Sequence, residues 1–211
     1  MLDNRTKEEQ VADYLRERII SGEIARGARL KQADIANDLN LSITPVREAL
    51  KILEAEGYVR RDSYKGAMVA PKEAIAEEVL QLRLVLEIRL VQGALQQITD
   101  QDLLVLKQLS EDFAAAFQAG DRAAARGINY RFHRMLYELA DMPQTLHFVQ
   151  VLWARYPFDD INAVTGRGDD AAREHEAILA AFASRDLTAA VMAMRQHIES
   201  GWAAIQPEAP L

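Results

Sequence analysis

Cysteine is absent from the 211 residues. That excludes a disulfide framework and any thiolate chemistry, and it fits a reducing cytosol. No apolar run approaches the ~20 consecutive residues that a membrane-spanning helix needs. The first residues, MLDNRTKEEQ, are polar and helix-initiating, unlike a signal peptide. A cytoplasmic chain with no membrane segment is expected. Repeats and low-complexity blocks are also missing, and beyond Pro71 there is no strand-like alternation. Nearly half the residues (49%) are apolar, which allows a substantial core in one large domain or two small ones.

An excess of basic charge is lacking too: 25 Lys+Arg face 32 Asp+Glu, a net of −7. The imbalance is uneven. Residues 1–70 hold 12 of the basic and 12 of the acidic side chains, so the other 141 residues carry the whole −7. A phosphate-binding surface needs only local basic charge, so a neutral N-terminal part is compatible with DNA binding. The acidic remainder would face away from DNA and discourage non-specific binding.

The most informative stretch is LSITPVREALKILEAEGYV at 41–59. Ser42 and Thr44 offer hydroxyls at a helix start, and Pro45 sits in the first turn, where a missing N–H does no harm. Val46, Ala49, Leu50, Leu53 and Ala55 or Glu56 follow a period near 3.6, which makes one side of a helix apolar. Arg47 and Lys51 lie on another side. A helix with hydroxyls and Arg at its start and a packed back suits major-groove reading. Upstream, Thr6 and Glu9 have capping-box spacing before the stripe Val11, Leu15, Ile19, Ile20. SGEIARGARL breaks that helix, Ala33 to Leu39 form a short one, and Asn40 closes the turn. YVRR and AMVA, joined by DSYKG, predict a β-hairpin wing. The order of elements is a winged helix-turn-helix over residues 1–71.

After Pro71 the pattern is helical throughout. Six helices are expected: about 72 to 97; from Thr99 and Asp102 to near Gly120; from Asp121 to about Ala140; from Pro143 to Pro157; one following GRGDD and ending near Arg185; and one capped by Asp186 and reaching about Ile205. The fold class is therefore mainly α: the winged unit plus an all-α six-helix bundle over 72–205, with QPEAPL at 206–211 as a frayed tail.

VADYLRERIISGEIARGARL, ADIANDLNLSITPVREALKILEAEGYV and the wing with Gly66 resemble the DNA-binding domain of GntR-family bacterial transcription regulators. RLVLE at 83–87, NYRFHRMLYELA at 129–140, EHEAILAAFASRD at 174–186 and MRQHI at 194–198 resemble the effector domain of the FadR-like (FCD) subfamily. Six bundle helices point to its shorter, VanR-like branch. The resemblance implies a homodimer that binds a palindromic double-stranded operator, usually represses, and is released by a small carboxylate effector. It places Ser42, Thr44 and Arg47 on DNA, with Lys65 and Gly66 at the wing tip. The family commonly has Arg after the Ser at the helix start. Here Ile43 stands there, able to meet a thymine methyl but not to make a bidentate guanine contact.

Three of the four histidines share helix faces with apolar residues: His133 with Leu136 and Ala140, His175 with Ile178 and Phe182, His197 with Ala190 and Gly201. Buried neutral imidazoles need partners. A shared divalent metal, Zn or Ni, would satisfy all three; hydrogen bonds to carbonyls or water would satisfy them singly. The FCD family carries a site of one Asp and three His, and here the Asp position is Asn129, which brings no charge. His147 is expected at the surface. Arg83, four before Glu87, is either half of an intrahelical ion pair or a guanidinium facing an effector cavity; the resemblance favours the second. Tyr130, Tyr156, Asn162 and Trp202 suit the cavity wall and ordinary core equally well. A hydrolytic zinc site is a rival reading of three His, but no general base is evident: Glu174 and Glu176 flank His175 and point elsewhere on the helix. A bundle that is apo or holds a purely structural metal, and only dimerises the DNA-binding part, is a third. An enzyme has no use for the winged unit, so a regulator and not an enzyme is expected.

Overall fold

The computed structural model describes residues 6–62, 64, 66–71, 77–156, 158 and 167–205. Lys65, Asn162 and the 206–211 tail therefore lie outside the described residues. Backbone contacts divide the chain into two compact units, Met1–Glu73 and Ala74–Leu211.

In the first unit, α1 (Lys7–Ser21) opens with the expected capping box: Thr6 N–H donates to Glu9 Oε2 at 2.8 Å, and Glu9 N–H donates to Thr6 Oγ1 at 3.4 Å. Its stripe of Val11, Leu15, Ile19 and Ile20 is buried. α2 (Gln32–Asp38) ends in a turn where Asn40 adopts a left-handed φ of 52°. α3 (Ile43–Glu56) packs on α1 and α2 through Val46, Ala49, Leu50 and Leu53, each worth about 1–3 kcal/mol of apolar burial. The fifth inward position is Glu56 rather than Ala55. Its carboxylate accepts from Arg16 Nε at 2.9 Å and Nη2 at 2.8 Å, so a charge is tolerated there because α1 supplies its partner.

β1 (Val59–Asp62) and β2 (Gly66–Val69) form the antiparallel wing, with Val59 opposite Val69 and Asp62 opposite Gly66. Gly66 sits at φ 78°, a conformation that side chains strain. SGEIARGARL does more than break α1. Leu30 N–H donates to Ala67 O at 2.8 Å and Val69 N–H to Ala28 O at 2.9 Å, so its end pairs with β2.

The second unit contains, among the described residues, α4 (Glu77–Gln97), α5 (Asp100–Gln118), α6 (Arg122–Glu138), α7 (Pro143–Arg155), α8 (Arg167–Ala183) and α9 (Leu187–Ala203). Thr99, Asp121 and Asp186 each cap their helix through the side chain, worth ~1 kcal/mol apiece. One expectation is corrected: α8 does not follow GRGDD but begins within it, at Arg167. The helices close a circuit. α4 packs on α6, α6 on α5, α5 on α8, α8 on α9, and α9 returns to α4, with α7 against α4. Side chains that point inward from this ring meet in one place.

Candidate functional site

The N-terminal end of α3 is open. Ser42 is its N-cap, yet the hydroxyl makes no capping hydrogen bond, and Ser42, Ile43, Thr44 and Arg47 are all exposed, Ile43 at 51%. Arg47 Nε donates to Glu48 Oε1 at 3.3 Å and Lys51 Nζ donates to the same carboxylate at 3.0 Å. These are surface contacts that screen and exchange readily. Gly66 is exposed at the end of the wing.

Inside the bundle, His133 from α6, His175 from α8 and His197 from α9 are buried, and their ligand nitrogens lie within 4.8 Å of one another. His133 Nε2 and His197 Nε2 are 2.9 Å apart. The His175 ring stacks on Phe132 with centroids 4.3 Å apart and meets Phe113 at 5.1 Å. His147, by contrast, is exposed. His197 Nδ1–H donates to Glu174 Oε2 at 2.8 Å, and Arg167 Nη2 donates to the same oxygen at 2.8 Å. Glu174 therefore points away from His175, as its place beside it in sequence suggests, and fixes the histidine on the next helix. It is held as an acceptor by two donors and is not a free base for hydrolysis.

Arg83 is half of the ion pair that the sequence allows, and it also lines a cavity. Its Nε donates to Glu87 Oε1 at 2.6 Å, but the pair is buried rather than exposed, and the guanidinium lies 4.0 Å over the Tyr156 ring. Glu87 also accepts from Tyr137 Oη at 2.7 Å and Trp153 Nε1 at 3.2 Å. Arg83, Asn129, Tyr130, His133, Arg167 and His197 line one cavity of about 50 Å³, with Tyr156 in its wall. Trp202 is half-buried. The free volume holds an ion and roughly a few waters, so a larger effector requires the helices to yield.

Residues 7–69 match the gntR family of bacterial regulatory proteins, and residues 78–200 match the FCD domain. The chain belongs to the gntR family. The HTH-type transcriptional regulator McbR of Escherichia coli (strain K12) is 30% identical over 192 residues, covering 84% of this chain and 82% of McbR. The Exu regulon transcriptional regulator of the same strain is 29% identical over 220 residues, covering 91% and 81%. A solved structure of E. coli McbR/YncC shares the fold, with a TM-score of 0.78 at 24% identity over 94% of this chain and 96% of that one. This gntR-family protein is thus a DNA-binding transcription regulator with an FCD effector-binding domain, and the relatives that it matches are named as regulators rather than enzymes.

The electrostatics of the regulator's bundle suit a metal. Burial, then the neighbouring imidazoles and arginines, push His133 and His175 well below the usual histidine range; burial also lowers His197, against the pull of Glu174. All three are neutral ligands at neutral pH. Among the described residues His133 Nδ1 and both nitrogens of His175 have no hydrogen-bond partner. Each such buried orphan costs about 1–3 kcal/mol. A divalent ion bound by the three imidazoles would remove part of that cost, and the Glu174 hydrogen bond already orients His197 as outer partners orient metal-bound histidines. The donor set fits a divalent metal. Asn129, half-buried on the same wall, can add only a neutral amide oxygen.

Depressed histidines make the metal-free fold acid-sensitive. Above the ordinary histidine value of about 6.5 both folded and unfolded chains are neutral and nothing is lost. Below it the unfolded chain takes up protons that the fold refuses, so stability falls by up to ~1.4 kcal/mol per pH unit for each histidine. In chelator, the melting temperature is expected to fall steadily from pH 6.5 to 5, and His175→Phe to flatten that slope. A melting temperature level across this range would contradict the neutral triad.

Proposed function

We propose that the protein represses transcription as a homodimer on a palindromic operator and releases it when a small carboxylate enters the bundle beside a divalent metal, Zn or Ni. Residues 1–71 read DNA, through Ser42, Thr44, Arg47, Lys65 and Gly66. Residues 72–205 sense the effector, in the shorter VanR-like arrangement. The observation that carries this reading is a cluster of three buried neutral histidines in a regulator's effector domain, two of which, His133 and His197, line one cavity with the buried Arg83.

His133, His175 and His197 would hold the metal, with Asn129 beside them, and the ion would supply a positive anchor for an anion. Arg83 is locked by Glu87, whose carboxylate is itself held by Tyr137 and Trp153. Burial is the largest effect and works to lower Arg83, but the charge and hydrogen bond of Glu87, together with Tyr156 and Tyr137, outweigh it, and the guanidinium stays protonated. Its Nη1 has no partner among the described residues and is free to donate to a carboxylate. An anion held there ties α4 to the histidine helices. It therefore favours one bundle geometry over others, which shifts the spacing of the two DNA-reading units in the dimer.

The test is a footprint of the purified protein on the DNA upstream of its own gene and its neighbours. A protected palindrome supports the reading, and no protection at any of these sites sinks it. On that operator, Ile43→Arg is expected to alter base preference at one position per half-site toward guanine by roughly tenfold, the size of one bidentate contact. Unchanged preference would show that residue 43 does not reach a base.

A further inference from the structure

Arg167 is a second buried cation of the same cavity. It comes from the first turn of α8 and is 6% exposed. Its Nη2 is used by Glu174, at 2.8 Å, and by the His197 carbonyl at 3.4 Å. Among the described residues its Nε and Nη1 have no partner, as Arg83 Nη1 has none. Both guanidinium groups line the cavity, Arg83 from α4 and Arg167 from α8. Tyr156 lies between them: its ring is under Arg83, and a Cβ added at Gly201 would meet Tyr156 Oη at 3.2 Å and Arg167 Nη2 at 3.6 Å. Gly201 thus keeps the ground beside Tyr156 Oη and Arg167 Nη2 clear of a side chain.

The charges within the cavity and its first supports balance as they stand. Arg83 is offset by Glu87 and Arg167 by Glu174. An occupied triad adds two positive charges, and Asn129, being neutral, offsets neither. A buried charge of this size needs a counter-charge in the cavity. One acid group supplies half of it and uses one arginine; two supply all of it and use both.

We propose that Arg167 is a second anion-binding residue and that the effector carries two acid groups, a small aliphatic dicarboxylate, one end on Arg83 and the other on Arg167. This rests on the reading of the bundle as a carboxylate sensor. Arg83 and Arg167 come from helices that are not neighbours in the circuit, so an anion that holds both ties α4 to α8.

The experiment is calorimetric titration of the full-length, Ni-loaded protein with two series: oxalate, malonate, succinate and glutarate; and acetate, propionate, butyrate and valerate. The expected result is at least one dicarboxylate binding tenfold or more tighter than every monocarboxylate. Arg167→Lys keeps the charge beside Glu174 but loses the fork. In Ni-saturated protein it is expected to weaken that dicarboxylate at least tenfold, while monocarboxylate affinity stays within threefold. The monocarboxylate control separates a ligand contact from damage to the triad, and Arg167→Gln repeats the test if the Lys variant does not fold. Monocarboxylates binding as tightly as dicarboxylates, or dicarboxylate binding indifferent to Arg167, overturns the two-acid proposal and leaves the carboxylate-sensor reading standing. No binding in either series overturns both.

Discussion

Glu87→Ala is expected to destabilise the protein by about 3–5 kcal/mol, the loss that follows when one partner of a buried ion pair is removed. Glu87 is 1% exposed and accepts from three donors: Arg83, Tyr137 and Trp153. Truncation leaves a buried guanidinium with no counter-charge, the Trp153 N–H without its Glu87 acceptor, and Tyr137 Oη with only the weak acceptor Met194 Sδ at 3.3 Å. Burial and the Glu87 charge both hold the Tyr137 phenol well above its usual range, so it stays a donor and cannot shed its proton to adapt. In urea the loss appears as a lower midpoint with an unchanged slope. The double variant Glu87→Ala, Arg83→Met is expected to recover most of it, because an apolar side chain needs no partner. A double variant as unstable as the single one would show that Glu87 acts through packing, not through the charge on Arg83.

Reloading the chelated protein with Ni or Zn should have an effect of similar size. At a thousandfold excess over the dissociation constant, a ligand bound only by the fold adds about 4.1 kcal/mol. For a chain of this length that is a rise of about 10 °C in melting temperature. His175→Ala is expected to abolish the increment. His175 is fully buried between Phe132 and Phe113, so the variant is less stable even without metal. The decisive quantity is therefore the rise on adding metal, not the melting temperature itself. Asn129→Asp restores a negative charge beside the triad and is expected to tighten metal binding at least tenfold. A wild-type melting temperature indifferent to both metals would remove the metal from the account.

Local chemistry made most of the fold legible. The Thr6–Glu9 and Thr99–Asp102 boxes, and the caps at Asp121 and Asp186, act within four residues, so their sequence spacing is their structure. The α8 start was misplaced because Gly166, Gly168 and two aspartates read as a loop, whereas acidic residues in a first turn suit the helix dipole. The three inward histidines were also visible, since helical period alone assigns each to an apolar face.

What supports them was not visible. Glu174 precedes His175 by one residue, a rotation of about 100°, and on its own helix it does face away from it. Its partner His197 belongs to α9, 23 residues on, and only the packing of α8 on α9 brings them together. Arg167 falls in the same glycine- and aspartate-rich stretch, whose composition hides its place at the helix start. Glu87 was seen as half of a pair with Arg83, yet Tyr137 and Trp153 lie 50 and 66 residues beyond it. In each case the signal, a charged residue at an inward helical position, was present, but its partner was set by tertiary packing.

The central claim is that the bundle site controls the DNA-reading helix. Its most direct test is operator binding by fluorescence anisotropy, on the footprinted DNA, with Ni-loaded protein titrated with the carboxylates. The account predicts that an effective carboxylate weakens operator binding at least tenfold. It also predicts that the double variant Glu87→Ala, Arg83→Met and the variant His175→Ala bind the operator as the parent does but lose the response. Operator affinity that no carboxylate alters, or a response that survives in both variants, would contradict it.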